Sequence, residues 1–463
     1  LGGSYGPLAV KGYMKNLKDT AHVNYDLVVS TPGFEIGKLI KQDTVLGKIA
    51  GTFKAKGTGF NYKTMTADIA ASIKELQFNK YNYQNAEITA KLNDGMINTK
   101  GSVNDSSLQL QYDLAINVRN DHPSVNGTVH IDTAQLKKLN FYKDTLNFSL
   151  DANIAANDLK SRQLDINTVL DSIKLQLGQH FYSIDSVSLI ATSANGADSI
   201  DFYAPFASLQ AAGAFDYDKV GTSILNYVNH YYKIPGYTDS LKNIPDQQLS
   251  FNGVIKNSPI ITDLVPGLTT YEDISFKGNY VSANADSGLS FNVKMPRIVY
   301  TTNTISNAGI NIASANEKLN YEIGFDTLRT NGNILYTTSV KGAAANDSIS
   351  LTARTEDNAR KDWFALSGTA AITGDTYYFR MQDTLLLNYE QWNVNKDNYI
   401  SYSPKGIIAN NFILTSDTAT ISIKSQQPVA NSPIDINIDN FNLKSITSLI
   451  NQDTVFIGGI MDV

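Results

Sequence analysis

Between Leu108 and Val118 apolar and polar side chains alternate. Leu108, Leu110, Tyr112, Leu114, Ile116 and Val118 fall on one face, and Gln109, Gln111, Asp113 and Asn117 on the other. A period of two is the mark of a strand with one wet side. The alternation returns at Leu76 and Phe78, at Ala86, Ile88, Ala90 and Leu92, at Leu146, Phe148, Leu150, Ala152 and Ile154, and at Ile173, Leu175 and Leu177. It recurs near the C-terminus at Ile421 and Ile423 and at Ile434, Ile436 and Ile438. Turn signals such as Asn93-Asp94-Gly95, Asn104-Asp105, Asn195-Gly196 and Asn331-Gly332 separate these runs at short intervals. Short Asn/Asp/Gly connections join antiparallel neighbours, so the pattern predicts meanders rather than βαβ units. The expected fold class is all-β: a long antiparallel sheet with a few short helices.

Helical spacing is rare. Ile224, Leu225, Val228, Tyr231 and Tyr232 sit at i, i+1, i+4, i+7 and i+8, predicting a helix over Ser223–Tyr232. The stretch that follows, through Pro235, Gly236 and Pro245, breaks the strand rhythm. Residues 216–246 are therefore read as a helical insert or boundary between an N-terminal part, 1–215, and a C-terminal part, 247–463. Ser258-Pro259 supplies a cap and a first-turn proline for a short helix over Ile260–Val265. A weak repeat joins Phe34–Ile49 to Phe441–Gly458, with Gln-Asp-Thr-Val at 42–45 and 452–455, and a looser copy lies at Ile131–Leu146. Each copy reads as strand, apolar helical turn, strand.

Composition narrows the function classes. The net charge is −6 and only 18% of residues are charged, so the basic footprint of a nucleic-acid binder is absent. A hydrophobic content of 42%, with 25 Tyr and 19 Phe, is too high for a disordered chain. With no cysteine there is neither a disulfide framework nor a thiolate metal site. No stretch approaches the roughly 18 apolar residues that read as a membrane span. The chain begins at Leu1 and closes on Gly458-Gly459-Ile460-Met461-Asp462-Val463, which reads as a strand, and it is expected to be an internal piece of a longer protein.

Candidate chemistry is sparse. His22, His122, His130, His180 and His230 are scattered and lack metal-ligand spacing. Asp435-Ile-Asn437-Ile-Asp439 resembles the start of a calcium loop. It has Asn440 where that loop needs glycine and Ile446 where it needs glutamate. There is no Gly-x-Ser-x-Gly elbow, and Gly33–Lys38 is too short for a phosphate-binding loop. No enzyme, cofactor or metal is expected. Distant paired carboxylates, as in glycoside cleavage, are the surviving enzymatic alternative.

What stands out is the apolar face. An ordinary sandwich core is one explanation of it, and a lining for fatty-acyl chains is the other. The candidate lining residues are Leu76, Phe78, Ile88, Leu92, Leu108, Leu110, Tyr112, Leu114, Ile116, Val118, Leu146, Phe148, Leu150, Ile173, Leu175, Leu177, Ile421, Ile423, Ile434, Ile436 and Ile438.

Trp392–Ile400, Gly406–Leu414 and Ala419–Lys424 resemble the strand cassette of TamB proteins of Bacteroidota, members of the AsmA-like family. Ile436–Gly459 is similar to that family's junction before its C-terminal domain, and Leu76–Val118 to its recurrent strand-turn-strand unit. The resemblance implies a sheet curled into an elongated open groove, a β-taco, truncated here before the C-terminal domain. It implies a periplasmic location, with an inner-membrane anchor helix outside this chain. Phospholipid acyl chains and an outer-membrane barrel protein of the BamA/TamA type are the partners it implies, and no nucleic acid. The implied function is to shield acyl chains and conduct phospholipids between inner and outer membranes. About thirty strands stacked at about 4.8 Å would give a sheet roughly 140 Å long. Two other readings compete: a scaffold or chaperone for outer-membrane protein assembly acting through exposed sheet edges, and a secreted carbohydrate-active or adhesive β protein.

Overall fold

The computed structural model describes residues 2–119, 121–238, 243–330, 333–447 and 459–461. Among them are thirty-three strands and four short helices, and every strand pairing with a given register is antiparallel. The chain is all-β. It divides into two compact units, Leu1–Ala212 and Gly213–Val463. No helix of the described residues is long and apolar enough to cross a membrane.

In the first unit twelve strands, from Ala9–Lys15 to Ala197–Ala204, each pair with the next in sequence. The turns explain why the meander forms. Tyr81–Asn93 and Met96–Asn104 are joined by Asp94 and Gly95 alone, and both residues have positive φ, at 47° and 78°. Asn195 and Gly196 do the same between His180–Ala194 and Ala197–Ala204. Two consecutive left-handed residues make the turn whose twist matches that of paired strands. Asn331-Gly332 and the second Gln-Asp-Thr-Val copy lie outside the described residues.

The first and looser copies of the repeat do form strand, helical turn, strand. Asn24–Glu35 leads through the helix Ile36–Leu39 to Leu46–Thr58, and Ser124–Gln135 leads through a turn that buries Leu139 to Leu146–Asp158. The pairing does not close on itself. Ala9–Lys15 is paired on one side only among the described residues, and all seven of its residues are exposed.

In the second unit the expected helix spans Val220–Tyr231. It lies on the apolar face of its own unit, packing Tyr227 and Tyr231 against Tyr280, Leu319 and Ala344. The hydroxyls it buries are all satisfied, as buried polar groups require. Tyr231 Oη donates to Ala285 O at 2.6 Å, Tyr227 Oη meets Ser314 Oγ at 2.9 Å, and Ser223 Oγ meets Tyr280 Oη at 2.7 Å. Burial and the neighbouring Tyr227 push the Tyr231 hydroxyl well above its ordinary pKa. The second helix spans Pro259–Leu264, capped by Ser258 Oγ, which accepts from Ile260 N at 3.3 Å.

From Leu289–Tyr300 to Thr376–Leu387 the strands again pair in sequence. The order then changes. Glu390–Val394 pairs with Thr376–Leu387 and continues into a small ladder with Phe412–Ser416, Ala419–Ser425 and Ile434–Asp439. This ladder packs Trp392, Val394, Phe412, Leu414 and Phe441 against Leu366, Phe379, Met381 and Ile400 of the main strands. A filled two-layer core results.

Candidate functional site

Register places the apolar positions of the first unit into continuous files that cross the strands. One file runs Tyr25, Gly57, Ala67, Leu92, Ile97, Ile116, Val125, Ala156, Ile166, Ala191, each residue directly opposite the next. Beside it run Leu27, Ala55, Ile69, Ala90, Thr99, Leu114, Gly127, Ile154, Thr168, Leu189. A third contains Val29, Phe53, Ala71, Ile88, Gly101, Tyr112, Val129, Ala152, Leu170 and Val187. None of these positions is charged. The aromatic rings lie low on the sheet: Tyr112 covers Gly101, whose absent Cβ leaves room for the ring edge.

The opposite face carries the charge. Asp26, Lys56, Asp68 and Lys91 stand in register, and Lys56 Nζ reaches Asp26 Oδ2 at 3.7 Å. Lys100 Nζ meets Asp113 Oδ2 at 2.6 Å. His130 is held between Asp151 and Asp132, and hydrogen bonding to these two carboxylates raises its pKa above 6.5. This face has open depressions between its long side chains, such as one of ≈ 580 Å³ among Asp26, Lys54, Lys56, Asp68 and Lys91. Among the described residues no group of three metal-ligating side chains occurs.

Leu76, Phe78, Ile88, Leu92, Leu108, Leu110, Tyr112, Leu114, Ile116, Leu146, Phe148, Leu150, Ile173, Leu175 and Leu177 all fall on the uncharged face of the first unit. Leu92, Ile173 and Leu177 are buried and the others half-buried. Val118 lies just past the end of its strand, half-buried, with its N–H on Gly95 O at 2.9 Å.

The C-terminal candidates are placed differently. Ile421, Ile423 and Ile438 are half-buried against the core around Trp392, Ile434 is half-buried on the outermost strand of that ladder, and Ile436 is 54% exposed beside it. These five residues therefore do not share a file with the first-unit candidates. Period two marks their faces but does not reveal that Ile421, Ile423 and Ile438 pack against Trp392 and its neighbours.

Sequence reading also missed Leu27, Val29, Phe53, Ile69, Ile97, Val129, Leu170 and Val187, which share the uncharged face. The signal was present in Lys54 and Lys56, which alternate with Phe53, Ala55 and Gly57. Small residues at the inward positions had diluted the apolar count.

Fold and surface together define a class: an all-β chain whose antiparallel strands, in the first unit, present one uncharged face and one charged face. Comparison adds no relative to that class, since no protein-family model, curated protein or solved structure matches the chain.

Proposed function

We propose that this chain is a periplasmic, groove-forming lipid-transfer segment of the AsmA-like kind, in which the uncharged face curls around acyl chains and conducts phospholipids between inner and outer membranes. The observation that carries the reading is the set of adjacent uncharged files in the first unit, half-buried over most of their length. A 16-carbon acyl chain entering water loses roughly 0.8 kcal/mol per methylene, on the order of 12 kcal/mol in all, and a continuous apolar surface removes most of that barrier. Headgroups stay in solvent, so no dedicated headgroup site is needed. No residue acts as a catalyst. An inner-membrane anchor and a BamA/TamA-type barrel partner belong to the longer protein and are assigned to no residue here. The lining is assigned to the first unit and excludes the filled core around Trp392.

Mass spectrometry of lipid extracted from the purified chain tests this reading. Phospholipid should co-purify with the wild type, and Leu114→Asp should lose it while still folding, since a half-exposed carboxylate keeps much of its hydration. A folded Leu114→Asp variant with undiminished lipid would refute the lining.

A second reading rests on the strand Ala9–Lys15, exposed throughout and paired on one side only among the described residues. Such an edge can add a client strand by main-chain hydrogen bonds, as an assembly scaffold for outer-membrane proteins would. Crosslinks concentrated at Ala9–Lys15, with no lipid recovered, would favour it.

A further inference from the structure

The two structured copies of the internal repeat lie on the same side of the first unit and meet at one point. The hairpin turn Asn79-Lys80 lies between them: Asn79 N donates to Val45 O at 2.7 Å, and Asn79 Nδ2 donates to Asn140 O at 2.8 Å. Asn140 Nδ2 returns a bond to Asn79 O at 3.0 Å, and the rings of Phe78 and Phe141 lie 6.3 Å apart. Three turns are thereby fused into one rim. Their inner sides are anchored by buried Leu139 and Gly37.

The outer side of this rim is unusual for a chain of net charge −6. Leu39, Ile40, Val45, Phe141 and Tyr142 project from it, Leu39 and Phe141 with more than half of their surface free. Interleaved with them are Lys38, Lys41, Lys80, Lys137, Lys138 and Lys143, all exposed, against only Asp43 and Asp144 on the same turns. Lys38 lies 3.8 Å from Glu35, and the other five lysines form no ion pair among the described residues. At the opposite strand ends of the same unit Asp94 pairs with Arg119, while Lys18 and Lys160 stand exposed on different turns.

Exposed apolar patches rimmed by polar residues mark interaction surfaces. Large apolar and aromatic side chains flanked by unpaired lysines fit an anionic bilayer surface in particular. Rings and branched chains enter at headgroup depth, while the lysine stems lie along the apolar boundary and their ammonium groups meet lipid phosphates. We infer that this rim, built from the turns at 36–45, 79–80 and 136–144, docks the first unit onto the surface of an anionic phospholipid bilayer. The inference does not depend on the acyl lining, because vesicle binding and retained lipid are separate readouts.

The test is co-sedimentation of the full chain with vesicles of phosphatidylcholine containing phosphatidylglycerol, against phosphatidylcholine alone. The wild type should bind the anionic vesicles, and progressively less as salt screens the lysines. The combined Lys137→Glu, Lys138→Glu and Lys143→Glu variant should lose on the order of a hundredfold in affinity. Phe141→Ser with Tyr142→Ser should weaken binding while keeping its salt dependence. Lys160→Glu, at the opposite strand ends, should bind as the wild type. All the substituted side chains are exposed, and unchanged circular dichroism confirms folding. Equal binding to neutral vesicles, no vesicle binding at all, or an equal loss in Lys160→Glu would each overturn the proposal.

Discussion

His130 shows how a lone histidine in a β sequence is used. It stands on the charged face, where register brings Asp151 opposite and Asp132 lies two residues along, and both carboxylates bond to the ring. Its raised pKa therefore comes from one hydrogen bond across the strand pair, to Asp151, and one along its own strand, to Asp132, in an exposed position. Folding gains from the protonated imidazole, so this contribution is fully present below the unfolded pKa and is lost as pH rises through the folded value. Proton NMR titration should place the His130 midpoint above 6.5, and Asp151→Asn should lower it. A wild-type midpoint at or below 6.5 would show that the pair does not persist in solution. Asp347 has the converse bias: bonds from the Lys233 side chain and backbone hold its carboxyl below the ordinary value and fasten the chain after the helix Val220–Tyr231 to a hairpin turn.

Individual strands owe their path to a few backbone positions. Gly127, in the middle of Ser124–Gln135, has φ of 140°, and a Cβ there would lie 1.9 Å from Asp113 O on the neighbouring strand. No L side chain fits without moving the strand pair, so the glycine permits a kink that brings the two backbones close. Gly127→Ala should cost about 1–3 kcal/mol in urea unfolding, from the strained φ and the displaced neighbour. An unchanged unfolding midpoint would mean that the strand pair accommodates the methyl group at no cost. Expectations at this scale were borne out where local chemistry dominates. The Asp94-Gly95 and Asn195-Gly196 turns form as two-residue hairpins, and the helix over Ser223–Tyr232 appears with its start moved to Val220. That shift is small because Ile224, Val228 and Tyr232 had already defined the face that packs on the strands.

At the scale of the whole molecule, the proposed lining is a collective property of many positions, so substitutions far apart in sequence should act alike. Leu27→Asp, Ile69→Asp and Ile154→Asp occupy one register file with Leu114, and each should reduce co-purified phospholipid to a similar extent. Thr89→Asp, on the charged face, should leave it unchanged. Loss confined to a single position would replace the continuous lining with a local pocket. The same register places Lys54 and Lys56 on the face opposite the uncharged files. They keep the other face wet and hold the strands in register, since a slip of one residue would turn every lysine inward.

Sequence alone determined the alternation, the turns and therefore the antiparallel all-β fold class, because strand period and left-handed turn residues are properties of neighbours a few residues apart. It also determined which side chains share a face, from Leu108 to Ile116 and from Leu146 to Leu150. Only the tertiary structure decided which of those faces is covered. Leu114 and Ile421 read alike along the chain and both are half-buried, yet Leu114 stands in a file that crosses the strands of the first unit while Ile421 packs against the cluster of Trp392, Phe412 and Phe441. The rim of lysines and aromatic rings likewise exists only because Asn79 joins turns sixty residues apart, an adjacency set by register across several strands and invisible to any local pattern.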